Sequence, residues 1–168
     1  MKQLKFVLIA LFTFGALSFS QAQTKIAHID SNILIESMPD FQDAKSQMNK
    51  LQNSYKSQIE DMYKELEEKR ERYESEVESQ TDEENERRMM DFQESQQRIM
   101  QFQQSAQQEL DNKQEELLQP LLERAKKAIE KVAKDKGFQY VLDSAEGGNV
   151  IVAEGYNMLS DVKKELGI

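Results

Sequence analysis

The sequence predicts a mostly helical protein with a small β part. A long antiparallel coiled-coil hairpin projects from a short-stranded body that oligomerisation completes. Three observations lead there. Between Pro39 and Lys136 the chain has no Gly, one interior Pro and apolar residues at helical spacing. Strand-forming stretches flank it, Lys25-Ile26-Ala27-His28-Ile29-Asp30 before and Phe138-Gln139-Tyr140-Val141-Leu142-Asp143 after. Three short strands and a short helix bury too little apolar surface to stand alone, so several chains are expected to share one body.

The elements follow in order. Met1–Lys5 carries two Lys, Phe6–Phe19 is apolar and uncharged, and Ser20-Gln21-Ala22 offers the small residues of a cleavage site. This is the pattern of a secretory signal peptide over residues 1–22, cleaved near Ala22. The apolar run is shorter than the roughly 20 residues of a spanning helix. No Cys follows it, which argues against a lipoprotein anchor. Residues 23–38 and 137–168 are then the β-rich oligomerisation body, and 39–136 the arm.

In the first strand Ile26, His28 and Asp30 fall on one face, Ala27 and Ile29 on the other. Ser31–Met38 is expected to form one or two helical turns. Pro39 suits the first turn of the outgoing helix, where its missing N–H is not needed. The outgoing seam runs Phe41, Ala44, Met48, Leu51, Tyr55, Ile59, Met62, Leu66, Tyr73, Val77, with steps mostly of three and four. The consecutive steps of four around Tyr55 are a stutter that relaxes the supercoil locally.

The turn lies near residues 79–81. Thr81-Asp82-Glu83-Glu84 has the capping-box form, and its three acids suit the positive end of a helix dipole. The returning seam reads Met89, Phe92, Gln96, Ile99, Gln103, Ala106, Leu110, Lys113, Leu117, Leu121, Ala125, Ala128, Val132. Gln packs poorly in a seam, so the outer half of the arm is expected to be weakly held. Pro120 predicts a bend where the arm leaves the body, or a junction of two helices. Gly137 ends the helix as a left-handed cap. Strands follow at Phe138–Asp143 and Val150–Ala153, joined by a turn at Glu146-Gly147-Gly148-Asn149. Asn157 caps a last helix, Met158–Leu166, closed by Gly167. The interface between chains is expected at Ile26, Ile29, Tyr140, Val141, Leu142, Val150 and Val152.

With 31 acids against 22 bases the chain carries a net charge of −9. Loss of the two Lys of the signal peptide makes it more negative. This argues against nucleic acid, which needs a basic footprint, and against anionic membrane surfaces. The absence of Cys removes disulfides, thiolate metal sites and a Cys nucleophile. Oligomerisation is therefore the expected stabiliser.

Candidate chemistry is sparse. His28 is the single His and has no companions at ligand spacing, so it reads as a packed strand residue. Asp30 and Asp143 stand at strand ends and read as backbone caps rather than an acid–base pair. No phosphate loop, dinucleotide fingerprint or nucleophile triad is present. The expectation is no enzyme, no cofactor and no metal. Tyr63, Met90, Met100 and Phe102 fall off the seam, where a hairpin core does not need them. Met and aromatic side chains in such places make adaptable contacts, which nominates them as a surface for binding other polypeptides. The Gln-rich stretch 93–108 has Met, Phe and Glu at helical spacing and reads as solvated helix.

Several short motifs recur in order around this hairpin: Lys25-Ile26-Ala27-x-Ile29-Asp30, Ala128-Ile129-x-x-Val132-Ala133, Leu142-Asp143, and the ending Tyr156-Asn157-Met158-Leu159-Ser160-Asp161-Val162-Lys163-Lys164-Glu165-Leu166. Behind a signal peptide this arrangement resembles the Skp (OmpH-like) periplasmic chaperones. The resemblance implies a homotrimer with a small β-barrel body. Three helical arms would enclose a cavity for unfolded outer-membrane proteins, without nucleotide or metal. Asn157 stands where that family often has Asp. The arm tip departs further: Glu74, Glu76, Glu78, Asp82, Glu83, Glu84 and Glu86 are acidic, with no Lys or Arg between Arg72 and Arg87. That argues against the direct membrane or lipopolysaccharide contact proposed for basic tips.

The sequence thus leads to a periplasmic holdase that binds unfolded outer-membrane proteins between its arms. The alternative is a coiled-coil spacer or adaptor of the cell envelope. A spacer would show a strong continuous seam and few apolar residues off it.

Overall fold

The computed structural model describes residues 24–148 and 150–168. The expected signal peptide, residues 1–22, lies outside the described residues. The chain runs through strand β1 (Ile26–Ile29), helix α1 (Ser31–Glu36) and helix α2 (Pro39–Glu76). A 3-10 turn (Val77–Ser79) leads into helix α3 (Asp82–Lys136). Strands β2 (Tyr140–Asp143) and β3 (Tyr156–Asn157) and helix α4 (Leu159–Leu166) complete it. The long antiparallel hairpin between short strands is the architecture the spacing predicts.

Local chemistry sets most boundaries. Asp30 caps α1 by accepting the Ile33 N–H at 2.9 Å. Pro39 opens α2 at its first position. The Thr81 hydroxyl accepts the Glu84 N–H at 3.2 Å and starts α3. The Glu84 carboxylate does not complete the reciprocal box; it binds Arg87 and Arg88 instead. Gly137 adopts φ +73°, with its N–H on the Lys134 carbonyl and the Phe138 N–H on that of Ala133. This is a Schellman end, which a side chain bearing Cβ disfavours. At ~1.5 Å per residue α2 and α3 are about 57 and 82 Å long.

Pro120 lies inside a continuous α3, so no junction of two helices exists there. The last helix begins at Leu159, one residue later than predicted. Asn157 nonetheless acts on it, its side-chain oxygen accepting the Leu159 N–H at 2.9 Å.

The sheet has the order β2-β1-β3, and both pairings are parallel. Ile26 stands beside Tyr140, and His28 beside Leu142. One face of β1 packs into the body core with Leu34, Met38, Met158 and Val162, each fully buried, and the roots of the arm at Ala44, Leu121, Ala125, Ala128 and Val132. Burying each large side chain contributes about 2 kcal/mol. Lys131–Glu165 and Lys136–Asp161 ion pairs fasten α4 to the base of α3.

Two expectations about the body change. Residues 150–153 form no strand; the third strand is Tyr156–Asn157. β1 has only two edges, and β2 and β3 occupy them, so the apolar run at Val150–Val152 has no strand partner within the described chain. Ile29 is 2% exposed and sits in the core of its own protomer, and Val141 packs against that core. Neither belongs to an outward face. Ile26, Tyr140, Leu142 and Val152 are exposed, and Val150 is half-buried.

Candidate functional site

The arm is built in two halves by different physics. Near the body the seam is apolar and partly lined by alanines, with Ala106, Leu121, Ala125 and Ala128 buried on α3 and Ala44 on α2. Small side chains let the helices approach closely and exclude water. Arg124 and Asp40 bridge the helices across this root at 2.5 Å.

The outer half is latched by polar groups. Lys69 Nζ lies 2.8 Å from Asp91 Oδ2 and donates to Ser95 Oγ at 2.8 Å. The Tyr73 hydroxyl donates to Asp91 Oδ2 at 2.7 Å. Ser95 donates in turn to the Asp91 carbonyl oxygen at 2.8 Å, and Arg98 donates to Ser95 at 2.7 Å. Lys69 and Tyr73 together hold the Asp91 carboxyl below its usual range. Nearer the tip, Arg88 joins Glu76 of α2 at 2.7 Å and Glu84 at 3.1 Å, with its guanidinium 4.9 Å from the Tyr73 ring centre. Arg87 is the main cause of a lowered Glu84 carboxyl, with Arg88 adding to it. The weak apolar seam expected here is therefore real, but charge-assisted bonds replace the missing contacts.

The register differs from the predicted one. Ser95, not Gln96, is buried against α2, and Met89 is exposed rather than seated in the seam. Phe102 is also not free: it is half-buried, edge-on to Tyr55 of α2 with ring centres 5.9 Å apart. The other three off-seam residues do face outward. Tyr63 is 49% exposed, Met90 53% and Met100 60%, and Met89 joins them at 60%.

Among the clefts on this outer half, two have exposed Tyr or Met side chains in their walls. One, of about 350 Å³, lies between the helices near the tip and is lined by Tyr73, Val77, Met89 and Phe92, with Arg70 and Arg88 among its polar neighbours. The other, of about 280 Å³, is lined by Tyr63, Leu66, Gln96, Ile99 and Met100. Exposed apolar groups beside shallow apolar clefts can hold side chains of another polypeptide without fixing one geometry. Beyond them, Glu78, Asp82, Glu83 and Glu86 have no ion-pair partner among the described residues.

The body residues once considered for chemistry serve structure. His28 Nδ1 hydrogen-bonds Ser144 Oγ at 3.2 Å. Asp143 accepts from the Ser31 N–H at 3.1 Å, from its hydroxyl, and from the Ala145 N–H at 3.0 Å. Burial alone would raise the Asp143 carboxyl, but these bonds outweigh it and hold it low. Among the described residues no group of three His, Cys, Asp or Glu could hold a metal, and no helix is long and apolar enough to cross a membrane.

The outer latch is absent from the apolar pattern, yet its signal is in the spacing. The predicted outgoing seam jumps seven residues from Leu66 to Tyr73, and Lys69 fills that gap at steps of three and four. Ser95 does the same between Phe92 and Ile99.

The sequence profile of the family described as outer membrane protein (OmpH-like) matches residues 25–166. The fold is similar to that of a solved structure from Caulobacter crescentus CB15, described as a proposed outer membrane chaperone (OmpH-like). The TM-score is 0.73 over 88% of this chain and 87% of that one, at 13% identity, a likeness of fold. No curated protein matches the chain at a significant level.

Proposed function

The chain belongs to the OmpH-like outer membrane protein family, and from that premise we propose that it is a periplasmic holdase chaperone for unfolded outer-membrane proteins. The observation that carries this reading is the outer arm. Tyr63, Met89 and Met100 stand exposed in the walls of two apolar clefts, and Met90 is exposed next to Met89, where the hairpin's own packing does not require them. Unfolded chains present many apolar groups in no fixed arrangement, and unbranched, polarisable Met suits such partners. The two long helices project this surface well away from the body.

The body supports assembly. Ile26, Tyr140 and Leu142 lie exposed on one side of the sheet, and Ile151 and Val152 are exposed in the segment between β2 and β3. A single short-stranded sheet with such a face is marginal alone, and a homotrimer would cover it and set three arms around a cavity. The signal-peptide pattern at 1–22 supports export to the periplasm. The abundance of carboxylates would keep the assembly soluble.

The test is aggregation of a urea-unfolded outer-membrane β-barrel protein on dilution, followed by light scattering with and without residues 23–168. A stoichiometric excess of the protein should suppress scattering and yield a soluble complex. Unchanged scattering would refute the holdase reading. The spacer alternative predicts capture of one folded partner in fixed stoichiometry, and the exposed outer arm disfavours it.

A further inference from the structure

The chain has no Cys and no Trp, which leaves the Met thioether as its most readily oxidised side chain toward peroxide or hypochlorous acid. Its methionines are sorted by location. Met38 and Met158 are fully buried in the body, and Met48 and Met62 are half-buried on α2. Met89, Met90 and Met100 are all more than half exposed, and all lie on the outer half of α3. Met89 lines the cleft with Val77 and Phe92, and Met100 lines the cleft with Tyr63. The oxidisable groups that hold the fold are shielded, and those on the outer apolar surface are open.

We propose that Met89, Met90 and Met100 form an oxidation site through which peroxide or hypochlorous acid releases the protein's clients without unfolding the protein. The inference rests on the holdase reading above. With peroxide, the sulfur lone pair attacks one oxygen, the O–O bond breaks and an S=O bond forms. Sulfur loses two electrons, and the peroxide is reduced to water. The product is a polar, chiral sulfoxide in place of an apolar thioether, and it is returned by methionine sulfoxide reductases. At Met89 and Met100 the new oxygen sits beside apolar clefts and opposes the contacts a client side chain would make. The body core and the Lys69–Asp91–Ser95 latch contain no exposed Met, so the hairpin persists.

The test treats residues 23–168 with graded hydrogen peroxide. It maps sulfoxides by peptide mass, follows helicity by circular dichroism, and measures binding of an unfolded outer-membrane β-barrel protein. Sulfoxides are expected first at Met89, Met90 and Met100, with helicity kept and client affinity lowered about tenfold. Methionine sulfoxide reductase with thiol should restore it. The variant Met89→Leu/Met90→Leu/Met100→Leu alters the binding surface itself, so it is compared with its own untreated affinity. Peroxide should leave that affinity unchanged, and a fall of about tenfold like that of the wild type would overturn the proposal. Oxidation first at Met38 or Met158, or full affinity in the oxidised wild type, would overturn the proposal. A wild type that binds no client before treatment would refute the holdase reading itself, and client release falls with it.

Discussion

Replacing Asp91 by Ala should loosen the outer arm and leave the body intact. Asp91 joins the helices through Lys69 at 2.8 Å and the Tyr73 hydroxyl at 2.7 Å. Its side chain is 38% exposed and that of Lys69 21%, so solvent weakens the ion pair to about 1 kcal/mol. The Tyr73 bond adds about 1 kcal/mol. Ala is the better helix former and offsets roughly 0.6 kcal/mol. The net loss of about 1.4 kcal/mol corresponds to about tenfold more frequent opening. Native-state hydrogen exchange reads this directly: amides of residues 66–98 should exchange about tenfold faster, and those of 121–136 at their wild-type rate. The Asp91 carboxyl lies below its ordinary value of 3.8. Its contribution is therefore complete well above that value and is lost as pH falls through the lower folded value. After correction for intrinsic rates, the wild-type outer arm should open more at low pH and at high salt, and the variant should show less of either dependence. Equal acceleration in both segments, or none in the outer one, would refute the latch.

Further outcomes follow from single residues. Thr81→Ala removes the cap of α3 and should cost about 1 kcal/mol, seen as faster exchange confined to residues 77–92. Leu34→Ala leaves a cavity in the body core and should lower stability in urea denaturation by about 3 kcal/mol. Gly137→Ala forces a side chain into φ +73° and should destabilise by about 1 kcal/mol in the same assay. On the proposed homotrimer, Leu142→Asp on the outward sheet face should shift the protein to monomer in light scattering after size exclusion, with helicity kept.

What could be read from the chain alone was what local chemistry decides. Thr81, Gly137, Gly167 and Asn157 each act within a few residues, and the hairpin tip fell where Thr81 placed it. The seam is less legible, because polar Lys69 and Ser95 hold positions where apolar side chains usually mark a seam. That substitution also displaced Met89 outward and moved Phe102 inward against Tyr55. The third strand was misplaced for another reason. Val150–Val152 has the better strand composition, but pairing depends on which segment reaches the free edge of β1. Tyr156–Asn157 reaches it, directly before the helix that fills the core with Val162. Nothing within three or four residues of either segment encodes that competition.

The position of β1 has a consequence for how the molecule is born. Ser31 contacts Asp143 across 112 residues, and the intervening chain is the arm. During synthesis β1 emerges before the arm and finds neither neighbour. Closing so long a flexible loop directly would be slow. The hairpin removes that difficulty, because its turn is local and its helices can zip from Thr81 toward the base. When the zipper reaches Val132 it delivers the second strand beside the first. The arm would then act as the splint of its own body, and slow zipping would leave a nascent chain with an unpaired strand.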